Sequence, residues 1–399
     1  MLLSPPDRAD SPAQVSFRRF PMNNILKSTK QWFQGKHLLA LGILALSLVL
    51  VACDANAKQS TFGTAGPVAE KQLLLFNVLM WVMVAVFVLV EGALLYAAIR
   101  FRRRPGQPLP KQTHGNTVLE LTWTIIPTIL ILGLGIWSVT TLFELDKPPA
   151  SAAGNTLDVT VTGHQWWFEF EYPNADGNGT VITTANELRV PVGRAVEVLL
   201  QSDDVIHSFW IPKLAGKVDM VPTRNNRLWF LADETGTFYG QCAEFCGTAH
   251  AQMKFLVQVL TQEEYDAWVA GFGQTPQLSA AAQAGQQVFN GAGGCVVCHT
   301  VNGSDNPAIV AGRMQGFLNT EVGIAPGPNM TDLATRQTFA AGLIDLNREN
   351  LRVWLTNPED IKPGNHMASR ATIYQTADGR TSLTQTQVSA LIEYLLSLK

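Results

Sequence analysis

The sequence predicts a multi-domain membrane protein in three parts: a two-helix transmembrane hairpin, an all-β sandwich or barrel, and a mostly helical C-terminal domain. Three observations predict it. Apolar runs at 73–99 and 119–143 each reach the roughly 20 residues needed to cross a bilayer. Between 155 and 260, short apolar segments at 157–161, 195–200, 227–231 and 255–259 are divided by Gly, Pro, Asn and Asp clusters, the pattern of strands. After a Gly-, Gln-, Pro- and Ser-rich linker at 271–279 the pattern turns helical over 280–399, closing with Val388, Leu391, Ile392 and Leu395 behind a Thr384-x-x-Gln387 capping box. The 399 residues suffice for these parts, and 47% hydrophobic against 15% charged residues leans towards membrane association. The net charge of −3 is too small to imply a nucleic-acid partner.

Residues 1–53 read as an export segment. The run at 38–53 has the length of a signal-peptide core rather than a spanning helix, and it follows Lys27, Lys30 and Lys36. It ends Leu50-Val51-Ala52-Cys53, which resembles the lipobox of bacterial lipoproteins, where the cysteine is lipidated after cleavage; an uncleaved helix with an incidental cysteine is the alternative. Residues 1–21 are unlike the start of a signal peptide, and Met22 is an alternative start. In the hairpin, 70–145, the connection carries Arg100, Arg102, Arg103, Arg104 and Lys111, which places it in the cytoplasm and everything after Phe143 outside. Glu91 and Glu120 are costly in hydrocarbon unless they face protein or water, and Pro127 should bend its helix, so a membrane partner is implied.

Four of the five cysteines lie in two metal-site signatures. Cys242-Ala-Glu-Phe-Cys246-Gly-Thr-Ala-His250-Ala-Gln-Met253 packs two thiols, an imidazole and a thioether into one short segment, a soft-ligand set that suits copper. A mononuclear site of thiolate, two imidazoles and thioether would use Cys246, His250, Met253 and His207 of Val205-Ile206-His207-Ser208-Phe209-Trp210. Cys242 is then one thiolate too many, and two coppers sharing both sulfurs, each with one histidine and a weak donor, would use it. A Cys242–Cys246 disulfide or a closed zinc site also accommodates the thiols, though neither explains Met253 or the His-Ser-Phe-Trp segment.

The second signature, Cys295-Val-Val-Cys298-His299, is that of covalent haem c attachment, with thioethers at both cysteines and His299 as proximal ligand. Gly285 and Phe289 precede it on a predicted helix. Met314, Met330, His366 and Met367 are candidates for the sixth ligand, and Met367 is preferred because Ile361-Lys-Pro-Gly-Asn-His-Met367 resembles the axial-methionine loop of small class I cytochromes c. Trp354 is expected at the haem edge, with ordinary core packing as the alternative.

His207 in its context, Lys217-Val-Asp-Met-Val-Pro222, Gly240-Gln-Cys-Ala-Glu-Phe-Cys-Gly247 through Met253, Gly163-His-Gln-Trp-Trp167 and Leu119-Glu-Leu-Thr-Trp-Thr-Ile-Ile-Pro127 together resemble subunit II of the haem-copper cytochrome c oxidases, over residues 73 to about 268. With the haem motif, the whole resembles the subunit of caa3-type oxidases. The resemblance implies an all-β cupredoxin Greek-key sandwich at 154–262 holding a binuclear copper centre, CuA, and an all-α class I cytochrome c domain at 280–399. It implies copper ligands His207, Cys242, Cys246, His250, Met253 and the Glu244 carbonyl, and a magnesium ion reached by the Glu244 side chain at the boundary with subunit I. Trp166 matches the tryptophan through which electrons enter, with an aromatic core residue as the bland alternative, and Glu120 matches the mouth of a proton-uptake path, where a helix-dipole contact would serve equally. Glu91 matches no family role. Trp167, Phe168 and Thr223 depart from the Tyr, Trp and Gly common there, which bears on the electron-input surface and leaves the copper ligands untouched.

The implied function is that of an electron-input subunit in a bacterial cell (inner) membrane, multi-pass, with both redox domains on the extracytoplasmic side. Expected partners are subunit I, subunit III, membrane lipid, and cytochrome c or another periplasmic donor. None of the seven histidines lies in the apolar runs, so dioxygen reduction belongs to a partner chain. The competing class is a membrane-tethered copper carrier or oxidase-assembly protein, which should need an exchangeable mononuclear site and no covalent haem. A quinol-oxidase subunit would lack both signatures, and a nitrous-oxide reductase would need a second large copper domain.

Overall fold

The computed structural model describes residues 40–45, 47, 54, 56–108, 111–152, 154–274, 277–301 and 327–399. Met22, the proposed lipidation site Cys53 and the candidate ligand Met314 lie outside them. Within the export segment, residues 40–45 and 47 are helical and exposed.

The hairpin is formed by α1 (Pro67–Arg100) and α2 (Thr117–Leu145). Pro67 opens α1 with a preset φ, and Asn116 caps α2 by accepting the Leu119 N–H. Helix α2 continues through Pro127. Nearly all apolar side chains of both helices are exposed in the chain by itself, so their natural surroundings are lipid or a partner subunit. At 1.5 Å per residue α1 is about 51 Å long, more than the roughly 30 Å of hydrocarbon. Its first turn therefore continues into the sandwich, where Val68 and Ala69 are buried. The Ala65 N–H donates to the Lys213 carbonyl at 2.8 Å, and Trp229 Nε1 donates to the Leu145 carbonyl at 2.9 Å. Both outer ends of the hairpin are thus pinned to the domain that follows.

That domain is a two-sheet sandwich. Its strands are β1 (Thr156–His164), β2 (Trp167–Tyr172), β3 (Ile182–Ala185), β4 (Glu187–Pro191), β5 (Ala195–Ser202), β6 (His207–Trp210), β7 (Lys217–Met220), β8 (Asn226–Phe230), β9 (Gly236–Cys242) and β10 (Lys254–Leu260). One sheet runs β3-β2-β1-β5-β8 and the other β4-β10-β9-β6-β7. The pairing is not antiparallel throughout: β1 pairs with β5, and β4 with β10, in parallel. The chain leaves the first sheet at β4 and returns beside β1 at β5, a crossover that a strand-by-strand pattern does not reveal. Between the sheets Phe168, Phe170, Phe209 and Phe255 form one aromatic block, with Phe209 stacked on Phe255 at 4.6 Å. Helix α3 (Gln262–Gly271), started by a Thr261/Glu264 capping box, closes the sandwich with buried Tyr265 and Val269.

The C-terminal domain contains α4 (Ala280–Asn290), α5 (Arg348–Thr356), the short α6 (His366–Arg370) and α7 (Gln385–Leu395), with a two-stranded pairing of β11 (Thr338–Phe339) and β12 (Ile344–Asp345). The Thr384/Gln387 box caps α7, and Val388, Leu391, Ile392 and Leu395 are all buried. Helices α4 and α7 cross so closely at Gly285 that a Cβ there would lie 2.0 Å from the Ala390 carbonyl oxygen, and Phe289 meets Tyr394 edge to face.

The two soluble domains share a buried polar interface. Asp332 joins Arg189 of β4 at 3.3 Å to Arg336 at 2.6 Å and accepts the Thr184 hydroxyl at 3.0 Å. Glu187 accepts the Thr338 N–H at 2.7 Å and the Gln337 N–H at 2.9 Å. Two guanidiniums thus face two carboxylates. Burial opposes the charge on Asp332, but the flanking Arg336 and Arg189 prevail and hold its carboxyl below the ordinary value of 3.8.

Breaking a buried pair from one side costs about 3–5 kcal/mol, so Asp332→Asn should destabilise the protein by roughly 3 kcal/mol at neutral pH. Because the folded-state value is depressed, the Asp332 contribution is complete above its ordinary 3.8 and is lost as pH falls through the folded value. Denaturation followed at several pH values should show a constant gap between wild type and variant down to about pH 4, narrowing below it.

Candidate metal centre and haem pocket

The copper-type donors gather at one end of the second sheet because β6, β9 and β10 end or begin there side by side. His207 opens β6, Cys242 closes β9, and Met253 immediately precedes β10. The Cys242 N–H donates to the Met253 carbonyl at 2.9 Å, and the Ala243 N–H to the Ser208 carbonyl at 3.1 Å, which locks the three segments together. The Cys246 and His250 side chains come from the intervening loop. The two sulfurs are 3.7 Å apart. His207 Nδ1 lies 3.9 Å and the Glu244 carbonyl oxygen 3.2 Å from Cys242 Sγ. His250 Nδ1 lies 3.5 Å and Met253 Sδ 3.8 Å from Cys246 Sγ. All six donors named from the sequence are brought together, each sulfur having one imidazole and one weak donor beside it.

This arrangement decides between the alternatives. A disulfide needs sulfurs about 2.05 Å apart, and these cysteines are free. Among the described residues, His207, Cys242 and Cys246 form the one group of three His, Cys, Asp or Glu ligands close enough to hold a metal. A closed zinc site would leave Met253, wholly buried and 3.8 Å from Cys246, without a purpose; thiolates with a thioether fit copper.

The surroundings tune these donors. His207 is fully buried, and its Nε2 is 2.8 Å from Asp204, which fixes the ring so that Nδ1 is left for a metal. Burial works against charge on both partners, but their hydrogen bond and attraction outweigh it, holding Asp204 below and His207 above their ordinary values. The hydrogen bond between the two thiols draws Cys242 well below the usual thiol range, while the same bond and burial push Cys246 up. Sequence reasoning missed Asp204, although its position three residues before His207 was the available signal. It also gave Gly163 no role in the site: a Cβ there would sit 2.7 Å from His207 Cδ2, so the imidazole occupies space that only glycine leaves open.

Trp166 lies in the turn between β1 and β2, and its Nε1 donates to the Cys246 carbonyl at 2.9 Å; Gln165 Nε2 donates to the same oxygen at 2.8 Å. Trp166 is thus hydrogen-bonded to a candidate copper ligand while its ring belongs to the core. Trp167 stacks on His164 and packs with Ala185 and with Ala341 of the C-terminal domain, whereas Phe168 is a core residue. Thr223 has φ +67°, in the left-handed region that favours glycine. The Glu244 and Phe245 side chains are exposed beside the donors. Glu120 accepts the Asn116 N–H at 3.1 Å, so it closes the start of its own helix. Glu91 is half-buried.

In the C-terminal domain Cys295 and Cys298 flank a single helical turn that leads to His299. His299 Nδ1 donates to the Pro328 carbonyl at 2.8 Å, which leaves the Nε2 lone pair for an iron, and burial favours the neutral ring a ligand needs. Met367 on α6 and Met330 both pack, half-buried, against the domain core. His366 does not join them but turns to Trp166. Trp354 meets Phe339 edge to face at 6.0 Å and packs against the core. The donor chemistry fits one covalent haem c.

A hairpin-anchored cupredoxin-like sandwich with a soft-donor copper centre, joined to a cytochrome c domain, defines a membrane-anchored redox subunit with extracytoplasmic domains. Comparisons with known proteins place it further. Models of the cytochrome c oxidase subunit II periplasmic domain, its transmembrane domain and cytochrome c match residues 157–260, 55–141 and 282–399. Cytochrome c oxidase subunit 2 of Alkalihalophilus pseudofirmus is 35% identical over 378 residues, covering 93% of this chain and 99% of that protein. The same subunit of Bacillus subtilis is 34% identical over 380 residues, covering 91% and 98%. A crystal structure of the periplasmic domain of subunit II of cytochrome oxidase from Bradyrhizobium japonicum is 35% identical over 29% of this chain and 91% of that one, with a TM-score of 0.27. The chain belongs to the cytochrome c oxidase subunit II family.

Gly163→Ala should displace the His207 ring and abolish the near-infrared absorption of the copper centre while the haem spectrum stays unchanged. Full copper content in that variant would refute the role of Gly163.

Proposed function

We propose that this chain is the electron-input subunit of its oxidase. An extracytoplasmic donor, cytochrome c or another, delivers electrons to the haem c; they pass to the binuclear copper centre and leave for subunit I, where dioxygen is reduced to water. The observation that carries this reading is the continuity of the two sites: the loop bearing Met367 lies against Trp166, which is hydrogen-bonded to the Cys246 carbonyl. Bound copper and haem supply one-electron chemistry.

The remaining tasks fall to the chain's own residues. Cys295, Cys298, His299 and Met367 would hold the haem, a Met/His pair that favours a raised potential. His207, Cys242, Cys246, His250, Met253 and the Glu244 carbonyl would hold the copper pair in a buried cage, and a cage that moves little lowers the reorganisation that accompanies a change of charge. The exposed Glu244 carboxylate is available for a magnesium ion whose other ligands come from subunit I, since magnesium demands six and one carboxylate supplies few. Glu120, at the start of α2, would lie at the cytoplasmic end of the hairpin, where a proton-uptake path opens. Subunit III completes the membrane assembly, and Cys53 would add a lipid anchor in the bacterial cell membrane. The copper-carrier alternative fits poorly, because His207, Cys246 and Met253 are too deeply buried for ready exchange.

The test is an optical spectrum of the intact subunit, visible through near infrared. A c-type haem band together with a copper band that vanishes on reduction is expected; haem without that copper band would refute the reading. Cys246→Ser should remove the copper band and leave the haem spectrum, whereas a persistent delocalised two-copper spectrum would refute the ligand assignment. Met367→Ala should convert the haem to a high-spin or water-ligated state, and an unchanged low-spin spectrum would shift the axial role to Met330.

A further inference from the structure

The ring of Trp166 is already covered, and what covers it is the chain's own C-terminal domain. His366, the chain neighbour of Met367, stacks on the indole with ring centroids 4.9 Å apart and 30° between the planes. Lys362 donates from Nζ to the Trp166 carbonyl at 2.5 Å, and Gln252 Nε2 donates to the Ile361 carbonyl at 3.4 Å. Gly364, at φ +79°, comes so near Thr248 that a Cβ would lie 2.6 Å from Thr248 Cγ2. Residues 361–367 therefore spread over the two loops that carry the copper side of the site, 165–166 and 246–252. At the edge of the same indole, Nε1 donates to the Cys246 carbonyl.

This seat is independent of the Arg189–Asp332–Arg336 cluster, which joins the domains elsewhere. A buried lysine amine is costly unless it finds an acceptor, and here the acceptor belongs to the other domain. The left-handed backbone at Gly364 lets the loop lie against Thr248 where a side chain would hold it off.

We propose that His366 is a positioning residue for electron transfer within this chain: it seats the axial-ligand loop on Trp166, so the fused haem domain occupies the face through which the copper centre is reduced. A diffusing cytochrome must then give its electron to the haem rather than to Trp166. The step is the transfer of one electron: the haem iron is oxidised by one unit, the oxidised copper pair is reduced by one unit, and no bond forms or breaks. This inference rests on the proposed haem and copper sites.

Two measurements on the intact oxidase test it. In the first, the haem is photoreduced by a surface-attached ruthenium dye, and its reoxidation by copper is followed optically. His366→Ala should slow that internal transfer roughly tenfold or more, as misplacement of reacting groups does, with both optical spectra and haem reduction by an added cytochrome c unchanged. His366→Phe, which keeps a stacked ring, should restore most of the rate. An unchanged rate in His366→Ala, or no recovery in His366→Phe, overturns the proposal. In the second, Gly364→Val, whose side chain would run into Thr248, should hold the axial-ligand loop off the copper-side loops. Amide hydrogen exchange of the intact subunit should then be faster than in wild type in both 246–252 and 361–367, with the internal transfer slowed. Unchanged exchange in either segment, or an unchanged rate, overturns the docking geometry. Absence of the copper or haem band in the wild type would instead overturn the underlying functional reading.

Discussion

Two thiols held 3.7 Å apart without a disulfide between them are the constraint on which the rest of this chain depends. Outside the cytoplasm a neighbouring cysteine pair tends to close into a disulfide, which needs sulfurs about 2.05 Å apart. The sandwich resists that closure by fixing each cysteine through different partners. Cys242 is part of β9, bonded to the Met253 carbonyl and in register with Phe209. Cys246 sits in a loop whose carbonyl is taken by both Gln165 and Trp166. The gap that remains suits metal shared between thiolates, with imidazoles and weak donors arranged on either side.

Rigidity at this end of the sandwich comes from the core below it. Phe209 follows His207 by two residues on β6 and stacks on Phe255, which follows Met253 by two residues on β10. Two candidate ligands are thus anchored through the same aromatic pair. The alternation of strands places each ligand and each anchoring phenylalanine on the same face of the sheet. The Asp204 carboxylate then sets the imidazole of His207 from outside the cage.

Fusing the two redox domains converts an encounter into an intramolecular event, at roughly millimolar effective concentration. Tethering alone does not orient the partners. The polar interface does so, through hydrogen bonds that require particular geometry: Asp332 between two guanidiniums, and Glu187 on successive backbone N–H groups. Buried charge pairs contribute little net stability compared with apolar packing, but their directionality selects one orientation among many. Trp167 packs against Ala341 in this interface.

Much was legible in the sequence. Hydrophobic run length and arginine placement marked the hairpin, and the cysteine spacings with His207, His250, Met253 and His299 marked both centres, because those donors are chemically distinctive residues at recognisable spacings. The capping box and buried face of α7 were likewise readable, since helix capping is local. Only the tertiary structure decided the parallel strand pairs, which depend on a crossover between sheets rather than on any strand's own pattern. It also decided the placement of Gly163, Asp204, Lys362 and His366, whose contacts are made with residues distant in sequence or through a ring's second nitrogen. His366, read from its sequence neighbours as a candidate iron ligand, instead faces Trp166, because the turn of α6 sends adjacent side chains in different directions. The candidate metal donors were written in residue types, but the contact between the two candidate centres is a property of how the domains meet.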